Sequence, residues 1–517
     1  MNSFMLRKGL AWSVSVLAAI AGPAEAAERS LSLHEAIERA VERNDQLARD
    51  RETMEAAGAS AGATRGKYDP VFELNSSWGR SSQPTNQAFA VTPALPLAYE
   101  NKAADAGMTL RQLLPVGGTL SLRALGSRQS TNATYAPFSP AYDTQVGVEL
   151  RQPLWRDRAI DSARLAMRVA DADHQGAGAA LRRSLIETVA AVERSYWSLV
   201  AARLDVGVAE EAVGLAEDQL RETKIRVRAG TAPSTELAQP TAELERRRGE
   251  LLAANESASR AGNELKLNML SDQDQDLWTE DFVPGDTAFT EAGPIDVSAA
   301  LDRALKLRPE LEAVGAETRK AQAQVAYAHD GEHPSLDAVV SYDRYGLAGS
   351  RNLSSPFGSL PASMDGDLGD SFHSLSNGAF DGVRFALVLG LPVGNREARG
   401  NSEAAEHTVR AAGAEMARLR NSIRVEVLDA AASLETARQR IQAARASREA
   451  AEVQLRSEKD RYASGLSTNF LVLTRQNQLS RARLDEIAAL TDYRLARTEI
   501  GRATGSLPQD RGVQTDH

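Results

Sequence analysis

The sequence predicts an elongated protein of mixed α and β structure, built from two structural repeats. A stretch that begins at Ala36 recurs at Ala300, and a shift of 300 − 36 = 264 residues also places Pro70 on Pro334. Each copy has the pattern of a helix that ends at a proline and is followed by a strand. Two very long helical segments come later in each half. A duplication of this length indicates the architecture of the whole chain.

The composition excludes several classes of protein. The 517-residue chain contains no cysteine, which excludes disulfides, thiolate metal sites, a thiol nucleophile and a lipid-modified N-terminal cysteine. Its formal net charge of -10 would repel the phosphates of a nucleic acid. We therefore expect no nucleic-acid partner.

Residues 1–26 have the form of a secretory signal peptide. Arg7 and Lys8 precede a short apolar stretch at residues 9–20, and Ala26 ends a cleavage motif of the small-x-small form. The apolar stretch is shorter than the about 20 residues that a membrane-spanning helix needs, and no later segment reaches that length. The sequence thus predicts an exported protein without a transmembrane helix, so that insertion into a membrane would require a β-barrel.

Residues 27–294 form the first predicted repeat. Residues 32–67 have a helical pattern that ends before Pro70, because proline disfavours helical geometry in the residue that precedes it. Strands are predicted at about 71–80 and 144–154, where polar and apolar residues alternate.

An additional hairpin is predicted in the first repeat, at residues 107–125. Its two alternating segments flank the sequence from Pro115 to Gly118, which is a strong turn signal. The second repeat has no counterpart of this hairpin.

A hairpin of two long helices, over residues 157–270, completes the first repeat before an acidic loop at 271–294. Residues 160–227 contain no proline. At 1.5 Å per residue this segment would form a helix on the order of 100 Å long. Its apolar residues recur at spacings of four and three, as in a coiled coil: Leu185, Val189, Val192, Tyr196 and Leu199.

Residues 295–505 form the second predicted repeat, with the same order of elements. A short helix leads to strands at about 335–345 and 380–393, which a loop rich in Gly, Ser, Asp and Leu connects. A second long helical hairpin is predicted at 396–503. Residues 506–517 are polar, and we predict a flexible tail there.

The turns of the two long hairpins match each other. A shift of 465 − 230 = 235 residues places Gly465 on Gly230. Both glycines have the ordinary role of ending a helix. Tyr462 comes just before the second turn, where it is compatible with packing between helices or with a hydrogen bond across a gate.

The strands have two interpretations when the alternation is considered alone. Each is about ten residues long, which is the length that a tilted membrane strand requires. A strand with one polar and one apolar face also suits a soluble β-sandwich.

The motifs that could carry chemistry do not match known sites. His329 and His333 lack the H-E-x-x-H order of a zinc protease, and the acidic run from Asp272 to Asp276 lacks the glycine and the closing glutamate of a calcium loop. The sequence contains no P-loop, dinucleotide fingerprint or nucleophile elbow. We therefore predict no catalytic residue, no metal site and no cofactor, and a protein that is not an enzyme.

The order and the duplication of these elements resemble the TolC-like outer-membrane efflux protein family. The motifs that carry the resemblance are the two helix-breaking turns, at residues 230–237 and 462–470, and the paired short helices that end at Pro70 and Pro334. The resemblance extends over nearly the whole mature chain.

The resemblance implies a fold of α-helices with a membrane β-barrel. In that family three protomers share one barrel, to which each gives four strands, and one α-helical tunnel that crosses the periplasm. The implied function is the outer-membrane exit duct of a tripartite efflux or type I secretion system, a gated homotrimeric channel with passive conduction. Its partners would be a periplasmic adaptor protein, an inner-membrane pump and outer-membrane lipid. Drugs, peptides, polysaccharide and proteins would all pass through the same kind of duct.

The sequence departs from the family in two places. The hairpin at 107–125 is additional, and it could join the barrel or fold over its mouth. Some members also carry two acids, six and nine residues after the second glycine, that form a constriction ring, whereas here Leu471 and Thr474 occupy those positions. The resemblance implies a periplasmic tip and gate at these residues: Gly230, Glu236, Tyr462, Gly465, Leu471 and Thr474.

Two other functions are alternatives to this channel. A periplasmic adaptor also has a long helical hairpin, but it should have only one, flanked by lipoyl-like and small barrel modules. An exported enzyme or binding protein on an all-α scaffold would need a cluster of polar residues, which the sequence does not show.

Overall fold

The computed structural model describes residues 28–84, 98–286, 293, 295–353, 355, 361–378 and 380–513. The predicted signal peptide lies outside these residues.

The first repeat begins with a short strand and two helices. The helix predicted at residues 32–67 is interrupted at Asn44, whose side chain accepts hydrogen bonds from the backbone N–H groups of Gln46 and Leu47. Asparagine at this position caps a new helix, so the prediction of a single helix was wrong. The elements are β1 (Glu28–Leu31), α1 (Leu33–Arg43) and α2 (Asp45–Arg65).

Four strands follow, two of which occupy the region of the additional hairpin. They are longer than the alternating segments that the sequence indicated, because the ladder continues into polar residues that hydrogen-bond to neighbouring strands. Gly117 adopts a φ of 83° in the turn between the second and third strands of this group. The strands are β2 (Val71–Pro84), β3 (Ala98–Leu113), β4 (Thr119–Thr131) and β5 (Phe138–Pro153).

Two long helices and a short strand complete the first repeat: α3 (Ser162–Arg228), α4 (Ala238–Met269) and β6 (Asp281–Pro284). Strand β6 pairs in parallel with β1. The region 271–294 is therefore not only a loop, because its central residues return to the start of the repeat.

The second repeat keeps the order of short helices, strands and long helical hairpin, but its described part has two strands in the main sheet and two additional short helices. Pro309 stands at the first turn of a new helix and divides the predicted short helix in two. The loop predicted between the two strands also contains a helix. The elements are α5 (Val297–Leu307), α6 (Pro309–Glu332), β7 (Ser335–Arg351), α7 (Leu368–Ser376), β8 (Asp381–Gly390), α8 (Arg396–Ala463), α9 (Asn469–Thr504) and α10 (Leu507–Asp510).

The main sheet is antiparallel and has six strands in the order β2-β3-β4-β5-β7-β8. The first repeat gives four of these strands and the second repeat gives two. The resemblance implied four strands per protomer, and β3 with β4 accounts for the difference. In the described residues, β2 and β8 are the outer strands, and each has one unpaired edge.

One face of this sheet is apolar. Because paired residues of antiparallel strands lie on the same side, the registers place alternate residues of all six strands together. The large exposed side chains on this face are Phe72, Leu74, Trp78, Met108, Leu110, Leu122, Val146, Val148, Leu150, Val340, Tyr342, Val383, Phe385, Leu387 and Leu389.

The opposite face is polar and carries ion pairs between strands. Arg123 Nη2 lies 2.9 Å from Asp343 Oδ1, and Arg151 Nη2 lies 2.7 Å from Asp337 Oδ2. A polar and an apolar face with a period of two is the pattern expected where one side of a sheet contacts lipid and the other contacts water.

Helix α7 covers one end of the apolar face. The Thr144 hydroxyl donates to the backbone carbonyl of Ser371 at 3.2 Å. Gly346 lies beneath this contact, where a Cβ atom would stand 2.1 Å from the Ser371 oxygen. Glycine at this position therefore allows the helix to lie directly on the sheet.

The long helices pack as two hairpins, α3 with α4 and α8 with α9, and α3 also packs along α9. Each repeat has its own core where its short helix meets its long ones. Ile37 and Tyr196 are fully buried in the first core, and Ile423 and Tyr493 are buried in the second. No helix in the described part of the chain is both long and apolar enough to cross a membrane.

A cluster of charges joins the two repeats between these cores. Arg502 Nη1 lies 3.0 Å from Glu187 on α3, and Arg502 also pairs with Glu426 and Glu499. The hydrogen bond from Arg502 holds the pKa of Glu499 below its ordinary value. The cluster therefore stabilises the fold above the ordinary carboxyl pKa, and this contribution is lost as the pH falls through the lowered pKa.

The start of the predicted flexible tail is ordered against the core, which corrects that prediction. Leu507 is buried in the first core. Arg511 Nη2 donates to Glu193 Oε2 at 3.1 Å, and the Thr498 hydroxyl donates to the same oxygen at 2.6 Å. Because Glu193 is fully buried, its charge requires these partners.

We predict that Arg511→Ala destabilises the protein by about 3 kcal/mol, because it leaves the buried Glu193 charge without its cation. Adding Glu193→Gln to this variant should restore part of the loss. Arg410→Ala, which removes an exposed pair with Glu406, is the control and should change stability little. The measurement is thermal unfolding of the detergent-solubilised protein, and equal melting temperatures for Arg511→Ala and the control would contradict the prediction.

Candidate functional site

The two turns between the long helices have the same backbone geometry. Gly230 and Gly465 have φ angles of 75° and 72°. The N–H of the residue after each glycine donates to the carbonyl five residues earlier, at 3.0 Å from Thr231 and 2.8 Å from Leu466. This is the pattern of a helix that ends at a left-handed glycine.

The residues behind the turns also correspond. Each hairpin has a small apolar cluster close to its turn, and most positions of the two clusters correspond. Leu220 and Leu244 of the first cluster correspond to Leu455 and Leu479 of the second, since 455 − 220 and 479 − 244 both equal 235. The duplication is therefore retained as packing at the tips of the helices.

A contact between Arg226 and Tyr462 joins the two tips. The Arg226 guanidinium donates a hydrogen bond to the Tyr462 hydroxyl, and its central carbon lies 5.2 Å from the centre of the Tyr462 ring. Arg226 belongs to the first repeat and Tyr462 to the second. The contact combines a charge-assisted hydrogen bond with a cation–π interaction.

Two further hydrogen bonds join the hairpins nearby. Gln219 Nε2 donates to Asn469 Oδ1 at 2.6 Å, and Arg246 Nη2 donates to Asn477 Oδ1 at 2.9 Å. Together with the Arg226–Tyr462 contact they form what we call the tip latch. These side chains hold the first hairpin against the second within one protomer.

The acidic position predicted at the tip lies outside the tip latch. Glu236 is exposed in the short turn before α4, and its carboxylate has no partner among the described residues. The Thr474 hydroxyl donates to the Phe470 carbonyl at 2.8 Å, within its own helix, and Leu471 is half-exposed. The structure therefore brings Tyr462 to Arg226 and does not bring it to Glu236.

No local sequence pattern identifies the contact partners of Arg226, Gln219 or Asn469. Arg226 lies four residues before Gly230, so its place at the end of a helix was visible. Its partner lies 236 residues away in the chain, and only the packing of the two hairpins brings the pair together.

Two large apolar side chains are exposed at the second tip. Leu466 is 72% exposed and Phe470 is 61% exposed. Leu466 directly follows Gly465, and Phe470 lies at the start of α9, where the α8–α9 hairpin turns back. Exposed apolar residues at the end of a hairpin are typical of a surface that another protein covers.

The histidine motif near the sheet has structural contacts. His329 lies beside the Ser402 hydroxyl and Glu406, and the His333 ring lies 6.1 Å from that of Trp155. Among the described residues, no group of three or more His, Asp or Glu side chains is placed to hold a metal ion.

Comparison with protein families identifies the architecture. The sequence matches the model of the outer membrane efflux protein family over residues 104–269 and 300–506. The chain belongs to the outer membrane efflux protein family. The matched ranges include both long hairpins and most of the sheet. Comparison with curated proteins finds no match to this chain.

Solved structures with the same fold cover nearly the whole chain. A membrane protein from Pseudomonas aeruginosa is 20% identical with a TM-score of 0.63, and the similarity covers 91% of this chain and 93% of that one. The CmeC outer membrane channel of Campylobacter jejuni is 16% identical with a TM-score of 0.64, over 94% and 87% of the two chains. The MtrE outer membrane channel of Neisseria gonorrhoeae, in its open state, is 18% identical with a TM-score of 0.60, over 92% and 89%.

Family membership gives the protein its place in the cell. It is an efflux protein of the outer membrane, a family of transport channels, and its helical part lies in the periplasm. The sheet with one polar and one apolar face is then the membrane part of the protein. The expectation of an outer-membrane efflux family is confirmed.

We predict that Gly230→Ala and Gly465→Ala each destabilise the tip by about 1 kcal/mol, because a side chain disfavours a positive φ. Gly249→Ala is the matched control, since Gly249 lies inside α4 with no atom near its Cβ position. Alanine there should stabilise the helix by up to about 1 kcal/mol. Hydrogen exchange of the amides around each turn measures the effect, and equal exchange in all three variants would contradict the prediction.

Proposed function

We propose that the protein is the outer-membrane exit duct of a tripartite export system and works as a homotrimer. The observation that carries this proposal is that β2 and β8 each have one unpaired edge among the described strands. Backbone groups at such an edge have no hydrogen-bond partner in lipid. Strands β2 and β8 run in opposite directions, so β8 of one protomer can pair with β2 of the next in an antiparallel ladder and close a ring.

The number of three protomers comes from the resemblance to TolC-like proteins, and the helical part is compatible with it. Each chain supplies four long helices, and three chains would supply twelve, as the resemblance to TolC-like proteins implies. A ring of twelve helices with interaxial distances of about 9 Å has a circumference of roughly 110 Å, which leaves an open bore. This bore would continue the space enclosed by the sheet.

The duct would carry out no chemistry of its own. Substrates would pass by passive conduction, and an inner-membrane pump would supply the energy. A periplasmic adaptor would connect the two, and Leu466 with Phe470 offers it an apolar contact at the tip. Neither catalysis nor a cofactor is required for this function.

Opening of the duct would require the hairpins to separate at the tip latch. The Arg226–Tyr462 contact holds the α3–α4 hairpin to the α8–α9 hairpin, and its loss would allow the tips to move apart. Helix shifts of this kind are a known form of gating. Glu236 has a free carboxylate close to the turn, so it would give an open tip a preference for cations.

The proposal is tested by fractionation and native mass measurement. The protein should be in the outer-membrane fraction, with a mass of three mature chains. A soluble periplasmic monomer would contradict it and would favour the adaptor function. The sheet of six long strands argues against an adaptor, which would have one hairpin and no membrane sheet.

We predict that Tyr462→Phe raises the open probability of the channel in planar bilayers by about tenfold. The variant keeps the ring but removes the acceptor of a charge-assisted hydrogen bond, which contributes about 1.5 kcal/mol. Tyr135→Phe, in an exposed loop at the other end of the chain's sheet, is the control. If both variants conduct like the wild type, the latch does not limit opening.

We also predict that Glu236→Gln lowers the preference of the channel for cations, because it removes a negative charge from the tip. Glu256→Gln is the control, since Glu256 is exposed in the middle of α4 and pairs with Arg260. Reversal potentials measured under a salt gradient report the change. An unchanged reversal potential would exclude Glu236 from the selectivity of the channel.

A further inference from the structure

The strands β3 and β4 are an insertion relative to the internal duplication. The shift of 264 residues aligns the start of β2 with that of β7, and a shift of 392 − 153 = 239 aligns Pro153 at the end of β5 with Pro392 just after β8. In the second repeat β7 pairs directly with β8. In the first repeat β2 and β5 are separated by the two additional strands.

The insertion is part of the sheet along its whole length. Strand β2 pairs with β3 from Val71 to Pro84 without a break, and β4 pairs with β5 from Thr119 to Gln129. The 16 residues of β3 and the 13 residues of β4 exceed the about 10 residues that a tilted strand needs to cross a membrane.

The two faces of the inserted strands agree with those of the other four. Met108, Leu110 and Leu122 continue the apolar face. On the other side, Asp105 accepts a hydrogen bond from Ser77 at 2.9 Å, and Arg123 faces Asp343. If β3 and β4 folded over the mouth of a barrel, both of their faces would contact water, and a continuous apolar face would not be needed.

A side-chain contact fixes the insertion to the second repeat. The Arg123 side chain of β4 crosses over β5 at Gly147 and reaches Asp343 on β7, where Nε and Nη2 lie 3.3 Å and 2.9 Å from Oδ1. A Cβ atom on Gly147 would stand 2.1 Å from Asp343 Oδ1 and 3.2 Å from Arg123 Nε. The absence of a side chain at Gly147 is what permits the bridge.

From these observations we infer that each protomer contributes six strands, and not four, to the shared wall, so that the trimer closes a barrel of eighteen strands. This inference rests on the trimer of the proposed function. Each open edge pairs with the opposite edge of a neighbouring protomer of the same chain. The apolar side chains are odd-numbered on β8 and even-numbered on β2. In the pairing between protomers, odd-numbered residues of β8 must therefore lie opposite even-numbered residues of β2, so that the apolar face stays continuous.

The additional strands would widen the outlet of the duct. Strands about 4.8 Å apart and tilted by about 40° each occupy roughly 6.3 Å of the circumference. Eighteen of them make a ring of roughly 110 Å, about 36 Å across between backbones, whereas twelve make a ring about 24 Å across. The wider ring has about the circumference of twelve packed helices, so the duct would not narrow where it enters the membrane. Its substrates would include solutes too bulky for a twelve-stranded outlet.

Disulfide trapping tests the place of the insertion in the full-length protein, which has no cysteine of its own. Leu74→Cys with Met108→Cys, and Ala124→Cys with Val146→Cys, join register partners on β2–β3 and β4–β5. Both pairs should form disulfides within one chain in the outer membrane. As matched controls, Leu74→Cys is combined in turn with Thr144→Cys, Val146→Cys and Val148→Cys, and these pairs should not react.

A disulfide between Leu74→Cys and any of the three β5 positions would show that β2 and β5 are neighbours, and it would overturn the inference. Failure of both register pairs to react would overturn it as well. Imaging of the purified assembly gives the count directly. Three chains with eighteen wall strands support the inference, and three chains with twelve overturn it while the proposed function stands. Two chains with twelve strands would contradict the trimer and hence the proposed function, and the eighteen-stranded barrel would fall with it.

Discussion

The backbone hydrogen bonds of a strand within lipid are the constraint on which the rest of this structure depends. A helix satisfies its own backbone groups, but a sheet does so only between strands, and its outer edges stay unsatisfied until the sheet closes. In the part of the chain that the structure describes, the main sheet has six strands and two open edges. A single sheet of this kind leaves backbone groups unpaired in lipid, and this is the physical argument for the proposed assembly.

The same division into halves organises the periplasmic part. In each repeat the short helix packs against the long helices in a buried core, and the charges around Arg502 join the two repeats. At the far end, each hairpin ends at a glycine with a positive φ and is held by few contacts across the repeats. The cores at the short helices are therefore well buried, whereas the two tips are joined across the repeats by the side chains of the tip latch. That distribution suits a duct that stays fixed in the membrane and opens at its periplasmic end.

Most of the architecture was predictable from the sequence because it depends on local signals. The proline stops at Pro70 and Pro334 and the glycine turns each act within a few residues of the chain. The duplication is visible because these local signals recur at a constant shift. Three features were not predictable for the same reason. Asn44 divides a helix by a side-chain cap, Arg511 orders the tail through a buried acid 318 residues away, and Arg226 meets Tyr462 only when two hairpins pack. The additional hairpin was visible in the sequence as alternating polar and apolar residues. Its place in the sheet depends on hydrogen bonds to neighbouring strands and on the lack of a side chain at Gly147, and no local sequence pattern predicts either.

The central claim is that β2 and β8 are edges in one chain and are paired in the assembly. Hydrogen exchange of their backbone amides, in the protein extracted from the outer membrane as an intact assembly, tests this most directly. The account predicts that the amides of both strands are as strongly protected as those of the interior strands β4 and β5. Fast exchange confined to β2 and β8, with β4 and β5 protected, would show that the edges remain open and would contradict it.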